Sequence, residues 1–301
     1  MKKLLSILLV VFLVAAFAVG CGGTDNGDNG DNGDNGDNGN GDAVTYDDGV
    51  YFAQDEKAGG WTYFVVVDVE GGKITDAHWG GTNVVPQGNK YTASVEGNYN
   101  MGGSAEWYEQ ADAAIAWLVE NQDPALFDDK YTDDEGHTEA LATDDGTTVS
   151  VHVIEFFELA KKALASDPVA EGPHATPDDH VATATLPAEA DGVWEYRLDL
   201  IVVNGTIVDS SYNSLFVGEF NEENAKYFVD GDETKPSNKV ELGMDYGMDW
   251  KGNAANIDAF VEANNGFEVE YTDDEGHTDT ITGVSIHVNE YETLYKDALG
   301  L

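Results

Sequence analysis

An internal repetition sets the first limit on the architecture of this chain. The eight residues YTDDEGHT occupy positions 131–138 and recur unchanged at 271–278. Around each copy the sequence follows one plan: two strands, an amphipathic helix, the octapeptide and a last helix. Gly71-Gly72 and Asn204-Gly205 stand between alternating apolar and polar residues, a pattern typical of β-hairpins. We therefore predict an α+β protein with two tandem copies of a small unit, each an antiparallel sheet with helices packed on it.

The predicted helices rest on apolar residues at helical spacing. In each copy a loop containing tyrosine and methionine leads into the first helix, and a second helix ends the copy. The loop-and-helix segments span 97–121 and 244–264, and the last helices span 153–164 and 288–299.

A proline-containing segment separates the two copies. Its residues Pro168, Pro173 and Pro177 cannot readily continue a helix or a strand. The expected domains are a first repeat at 43–165, a linker at 166–180 and a second repeat at 181–301.

The N-terminus has the pattern of an export signal. Lys2 and Lys3 precede an apolar run that ends at Cys21, the single cysteine of the chain. The tetrapeptide AVGC at 18–21 resembles the lipobox of bacterial lipoproteins. That resemblance implies removal of signal peptide 1–20 and lipidation of Cys21, which would anchor the protein to the cell membrane on its extracytoplasmic side. An uncleaved anchor helix with an incidental cysteine is the alternative.

Residues 21–42 are predicted to form a disordered tether. The triplet DNG is repeated five times from Asp25 to Gly39, and these repeats contain no apolar residue that could offset the entropy lost on ordering. About twenty glycine-rich residues have a typical reach on the order of 25 Å.

The charge of the chain excludes several classes of partner. A formal net charge of -44 and a pI of about 4.1 disfavour nucleic acid and anionic membrane as binding surfaces. The acidic residues are spread along the whole chain, as expected for a halophilic acidic surface whose self-repulsion is screened by salt.

A hydroxyl-containing motif precedes the last helix of each copy. Alignment of the copies without a gap sets DDGTTVS at 144–150 on DTITGVS at 279–285. A loop that presents hydroxyls at a helix N-terminus suits a phosphate, because unpaired N–H groups and the helix dipole both favour an anion. The other interpretation is that Ser285 and Thr282 cap the helix, as serine and threonine often do.

DTITGVS is similar to the D-x-x-[ST]-G-A-[ST] signature of FMN-binding domains that hold FMN covalently, through a phosphoester bond to the last serine or threonine. With its lipobox, tether and tandem copies, the chain resembles bacterial lipoproteins of the extracellular electron-transfer flavoprotein type. The resemblance implies one or two FMN per chain, attached by a separate Mg-dependent flavin transferase. It makes Ser285 the acceptor, surrounded by Asp279 and Thr282, with Gly283 allowing close approach.

The first repeat carries a variant of the same motif. The shared register points to Ser150 as its acceptor, with Asp144 and Thr147 at the matching positions. Thr148 stands where the second repeat has glycine, and a shifted reading makes Thr148 the alternate acceptor.

The resemblance also implies a function. Electrons would pass from a membrane electron donor to an extracellular acceptor, so the chain would be an electron-transfer flavoprotein rather than a turnover enzyme. The alternative is a non-redox surface lipoprotein that binds a ligand or partner through degenerate FMN-binding repeats.

Other residues are candidates for supporting roles. His152 and His287 follow the expected acceptors by two positions and could contact the phosphate or the ring, or could be ordinary surface histidines. Trp61 and Trp194 lead equivalent strands and suit the core or ring stacking. The DDEGHT segments combine carboxylates with histidine, as a divalent-cation site or as plain acidic loops.

Overall fold

The computed structural model describes residues 44–57, 60–190 and 192–301. The expected signal peptide, Cys21 and the DNG-containing tether lie outside these residues. The part of the chain described from residue 44 onward forms one compact unit. None of the helices in the described ranges is long and apolar enough to cross a bilayer.

The two halves of the chain share a series of three strands followed by two long helices, and the first half has one additional short helix. The first half runs β1 (Gly49–Gln54), β2 (Trp61–Glu70), β3 (Lys73–Asn83), α1 (Lys90–Val95), α2 (Trp107–Asn121) and α3 (Ile154–Leu164). The second half runs β4 (Val181–Leu186), β5 (Trp194–Val203), β6 (Thr206–Phe216), α4 (Trp250–Asn264) and α5 (Asn289–Leu299). Short 3-10 turns lie at Pro124–Phe127, Ala225–Tyr227 and Val229–Gly231.

Each half has one three-stranded antiparallel sheet, in the order β1-β2-β3 and β4-β5-β6. The α+β class and both hairpins are therefore confirmed. Gly71 and Gly72 have φ of 61° and 74°, and Asn204 and Gly205 have 49° and 75°, the positive pair that a tight right-twisted hairpin turn requires. Strands β1 and β4, which complete the two sheets, were not predicted from the sequence.

Helices cover one face of each sheet. In the first half, α3 packs on β1 and β2 and α2 packs on β3; in the second, α4 packs on β6 and α5 on β4 and β5. The helices supply buried residues at helical spacing, such as Ala111, Ala114 and Leu118 of α2.

The other faces of the two sheets pack against each other. Phe64 and Val66 of β2 form a buried apolar cluster with Val181, Ile201 and Val203 of the second half. Since β2 is covered on both faces, it reads as the nearly unbroken apolar run YFVVVDV rather than as a strict alternation.

Polar groups also join the halves. Buried Asp199 accepts hydrogen bonds from the backbone N–H groups of Gln87 and Gly88, both at 3.0 Å. Lys57 Nζ lies 2.7 Å from Asp209 Oδ1 across the same boundary.

The proline-containing segment is bonded to both sheets. Val169 N–H donates to Val50 O and Gly172 N–H donates to Asn204 O, each at 2.8 Å. Ser166–His180 has no helix or strand, as its prolines lead one to expect. The domain boundaries drawn from the sequence remain predictions.

Candidate functional site

The motif before the last helix does not cap that helix. The N-cap residues of α3 and α5 are Val153 and Val288, and neither makes a side-chain capping bond. Both helices begin after a buried valine that anchors the chain in the core, so they start later than the hydroxyl residues. The capping interpretation of Ser285 and Thr282 is therefore wrong.

Ser285 is held in place by the first helix of its half. Its backbone N–H donates to Asn253 Oδ1 at 2.7 Å, and Asn253 is completely buried in α4. The Ser285 hydroxyl lies 2.9 Å from Tyr246 O and 3.2 Å from Asn253 Oδ1, so it can donate to either oxygen. The serine itself remains exposed.

Ser150 occupies the equivalent position in the first half. Gln110, one turn into α2 as Asn253 is in α4, accepts from the N–H groups of Ser150 at 2.6 Å and Val151 at 3.1 Å. Its Oε1 also lies 3.2 Å from the Ser150 hydroxyl. Thr148, the alternate acceptor, is exposed and forms an isolated bridge with Ala142 outside this arrangement.

Gly283 has a conformational reason to be glycine. Its φ is 77°, and a Cβ added there would lie 2.7 Å from Asn256 Nδ2, which donates a hydrogen bond to Gly283 O at 2.7 Å. In the first half the positive φ falls instead on Gly146, at 86°, with no atom within 4 Å of an added Cβ. The two loops therefore turn at different positions although their serines coincide.

The remaining motif residues lie on the surface. Asp279, Thr282 and Asp144 are exposed, and Thr147 is partly buried. The first-half turn is organised by a different aspartate, Asp145, whose Oδ1 accepts from Thr147 N–H at 2.9 Å and from the Thr143 hydroxyl at 2.7 Å. None of these side chains lines the cavities that the two serines border.

The second-half serine borders a cavity of about 390 Å³. Its lining includes Lys239, only 3% exposed, whose Nζ lies 4.2–5.3 Å from the centroids of four aromatic rings. Nζ also donates to the Tyr196 hydroxyl at 3.1 Å. We call this the second aromatic cavity; its rings belong to Trp194, Tyr196, Tyr246 and Trp250, and Ser285, Ile286, His277 and His287 complete its lining.

The first half repeats the arrangement in a cavity of about 230 Å³, the first aromatic cavity. Lys90, also 3% exposed, lies 4.7–5.7 Å from four ring centroids and donates to the Tyr63 hydroxyl at 2.7 Å. The rings belong to Trp61, Tyr63, Tyr99 and Trp107, the counterparts of the four in the second half. Ser150 and His152 are among the other lining residues.

Burial controls the charge of both lysines. It lowers the pKa of Lys90 and of Lys239 to about 8, while the carboxylates of Glu155 and Glu290 act in the opposite direction. Both amines are therefore mainly cations at neutral pH, stabilised by the negative faces of the surrounding rings. Each lysine thus places a positive charge in the lining of its cavity, inside a strongly acidic protein.

Sequence reasoning did not single out either lysine. The available signal was the dipeptide Asn-Lys at 89–90 and again at 238–239, before the tyrosine-and-methionine loop, in a chain with 14 basic residues. Two tryptophans were named from the sequence, and both contact the buried lysines: the ring of Trp61 lies near Lys90 and that of Trp194 near Lys239. Both tryptophans are partly buried and are not core residues.

A further cavity of about 660 Å³ lies between the halves. It is lined by Lys57 together with the acidic residues Asp209, Asp258 and Glu262. Burial raises the pKa of Asp258 to about 7, although the Ser210 hydroxyl donates to it at 2.6 Å and Lys57 is near.

Comparison with known proteins adds little to this geometry. No protein-family model matches the chain, and no curated protein matches it. Among solved structures, the chain is similar to a solution NMR structure of a protein from Clostridium thermocellum, with 38% sequence identity over 42% of this chain and 98% of the other. The TM-score of 0.30 is too low to support an argument about the fold.

Proposed function

We propose that this chain is a lipid-anchored, extracytoplasmic flavoprotein that holds FMN covalently at Ser285 and, in the first repeat, at Ser150. The observation that carries the proposal is the duplicated site. In each half an exposed serine, fixed by a buried amide, borders a cavity whose lining includes two tyrosines, a tryptophan and a buried lysine.

The second aromatic cavity suits a flavin in size and chemistry. Its volume of about 390 Å³ falls within the range of about 300–1,000 Å³ common for small-molecule sites. Flat aromatic walls favour stacking with an isoalloxazine ring.

Bound FMN would supply the redox chemistry, and the protein would position and tune it. Asn253 and Tyr246 O would orient the Ser285 hydroxyl for attachment. The ammonium of Lys239, in a site of low polarity, would favour negative charge on an adjacent ring and so raise its reduction potential.

The exposed motif residues fit a different role. Asp279, Thr282 and Asp144 lie on the surface beside their serines in sequence but outside the cavities. We assign these side chains, with partly buried Thr147, to recognition by the flavin transferase rather than to contact with bound FMN. Gly283 serves the loop itself, by admitting the Asn256 side chain.

The proposal includes a place in an electron-transfer chain. The lipobox at Cys21 and the tether would hold the protein at the outer side of the cell membrane, within reach of a membrane donor and an extracellular acceptor. Covalent attachment would prevent loss of the cofactor to the medium.

A non-redox binding lipoprotein is the second candidate. The cavity between the halves favours it, because its volume of about 660 Å³ and its acidic lining could hold a cationic ligand without any flavin. This candidate predicts a colourless protein.

Co-expression with a flavin transferase tests the proposal. The purified chain should be yellow, retain its flavin absorbance after denaturation, and show the added mass of FMN. Ser285→Ala and Ser150→Ala should each remove one FMN mass, and Thr148→Ala should remove none. A colourless wild-type chain of unmodified mass would overturn the proposal.

A further inference from the structure

A separate group of potential ligands lies on the DDEGHT loop of the first half. One ligand atom from each of Glu135, His137 and His152 lies within 4.8 Å of those of the other two. The His152 Nε2 to Glu135 Oε2 distance is 3.9 Å. A tetrahedral ion with bonds of about 2.1 Å needs ligand atoms on the order of 3.4 Å apart, so small side-chain rotations would close the site.

His137 is already oriented for metal binding. Its Nδ1 lies 2.7 Å from Asp133 Oδ2, which leaves Nε2 free for an ion. A carboxylate on the second ring nitrogen is the usual companion of a metal-bound histidine, because it fixes the ring and the tautomer. The other Asp133 oxygen accepts from the N–H groups of Glu135 at 3.0 Å and His137 at 3.1 Å, which fixes the loop as well.

The loop is clamped to the segment that supplies the third ligand. Val153 N–H, next to His152, donates to Gly136 O at 2.9 Å. Gly136 has φ 89°, and an added Cβ would lie 2.4 Å from Ile154 Cβ, so glycine allows the loop to lie directly on the start of α3. The three ligands thus come from two segments held together independently of any ion.

The second half is a natural control with the same residue types. Glu275, His277 and His287 occupy the matching positions, and His277 Nδ1 lies 2.9 Å from Asp273 Oδ2. His287 Nδ1 likewise lies 2.8 Å from a carboxylate oxygen, Glu290 Oε2, but the two histidines of this half are farther apart. The histidine rings are 6.0 Å apart, against 4.4 Å in the first half. Across the described residues, the three-ligand group is found in the first half alone.

We propose that Glu135, His137 and His152 bind one divalent transition-metal ion of the zinc class. Two imidazoles and a carboxylate suit such ions, whereas Mg²⁺ and Ca²⁺ prefer oxygen ligands. Three protein ligands leave a coordination position open, and His152 also lines the first aromatic cavity. The ion would therefore sit beside that cavity, where water or an anionic group of a ligand could complete its coordination.

Cobalt titration of the full chain, prepared without flavin, tests this site. Excess Mg²⁺ is included to occupy the acidic surface, and binding is followed by the visible d–d absorption of Co²⁺. We expect one Co²⁺ per chain, displaced by Zn²⁺. His137→Ala and His152→Ala should abolish the band, and Asp133→Asn should weaken binding by about 10- to 100-fold.

His287→Ala is the matched control and should leave the cobalt band unchanged. The proposal is overturned if no saturable band forms in excess Mg²⁺, if His152→Ala retains it, or if His287→Ala loses it equally. Because the titration uses flavin-free protein and Ser150 is not a ligand, its outcome is independent of the proposed flavin attachment.

Discussion

The Ser285 hydroxyl lies 2.9 Å from the carbonyl oxygen of Tyr246, whose ring is one of the four around Lys239. Tyr246 therefore contacts both the exposed Ser285 hydroxyl and the buried Lys239 amine. In the first half the Ser150 hydroxyl lies 3.2 Å from Gln110 Oε1. The proposed attachment point is thus in direct contact with a residue that lines the second aromatic cavity.

Removal of the buried amide should loosen the serine in one half at a time. Asn253→Ala removes the oxygen that accepts a hydrogen bond from the Ser285 N–H. We therefore expect the free energy of unfolding to fall by about 1–3 kcal/mol. FMN attachment at Ser285 should fall as well. Gln110→Ala should affect attachment at Ser150 only. Denaturant unfolding and intact mass measure the two effects, and equal loss at both serines from either change would contradict this account.

Gly283→Ala should strain the loop. Both the positive φ and the 2.7 Å approach of Asn256 oppose a Cβ, so we expect a loss of about 2 kcal/mol in the free energy of unfolding. Gly146→Ala is the control, since its φ is 86° but no atom lies within 4 Å of the added carbon. It should cost less, about 1 kcal/mol. A larger cost at Gly146 would show that close approach to Asn256 is not the reason for glycine at 283.

Lys239→Met should stabilise the protein while impairing the site. A lysine pKa lowered to about 8 in the folded state means that the unfolded chain binds the proton more tightly. The contribution of Lys239 to the free energy of unfolding is fully present above about pH 10.4, the pKa of a lysine in the unfolded chain. It is lost as the pH falls through the folded-state pKa of about 8. Wild-type stability should therefore rise between pH 8 and 10 relative to the variant, by on the order of 2 kcal/mol at ~1.4 kcal/mol per pKa unit.

The redox readout separates this role from a structural one. In flavin-loaded protein, Lys239→Met should lower the reduction potential, because the positive charge beside the ring is gone. Lys251→Met, at an exposed position on α4, is the control and should change neither the potential nor the pH slope. An unchanged potential in Lys239→Met would place the flavin elsewhere.

Asp258 should make the protein less stable as pH rises. Burial raises its pKa to about 7, whereas an unfolded aspartate titrates near about 3.9. The contribution of Asp258 to the free energy of unfolding is complete below the pKa of the unfolded aspartate. It is lost as the pH rises through the folded-state pKa. We expect up to about 4 kcal/mol of stability to be lost between pH 4 and 8, at ~1.4 kcal/mol per pKa unit.

Asp258→Asn should remove that part of the pH dependence. Denaturant unfolding at high salt measures it, because salt screens repulsion among surface carboxylates. The exposed Glu222→Gln removes the same charge without the buried site and should retain the wild-type slope. Parallel slopes in wild type and Asp258→Asn would show that the buried carboxyl titrates normally.

Much of the local structure could be predicted, because its causes lie in neighbouring residues. Turn residues at Gly71-Gly72 and Asn204-Gly205 located both hairpins, and helical spacing located the two closing helices within about one residue of where they begin. Strand β4, with the sequence VATATL, was missed, since six residues with small side chains give a weak pattern.

Alignment of the two repeats without a gap also predicted which residues occupy equivalent positions in the two halves. It paired Ser150 with Ser285, and these two serines make equivalent bonds to Gln110 and Asn253. It could not show that His152 and His287 differ in their contacts, because Glu135 and Glu155 compete for one ring while Glu290 holds the other.

The sequence alone determined the duplicated α+β plan, the hairpins, the four long helices and the equivalence of the two serine loops. These depend on residue periods, turn chemistry and an exact repeat, all of which are local or internal to the chain. Only the tertiary structure brought Lys239 together with four rings from two other segments, 194–196 and 246–250, and packed β2 against β5. Such contacts depend on which buried faces meet, and the burial that creates the aromatic cavities also makes their lysines chemically distinct from the rest of the acidic surface.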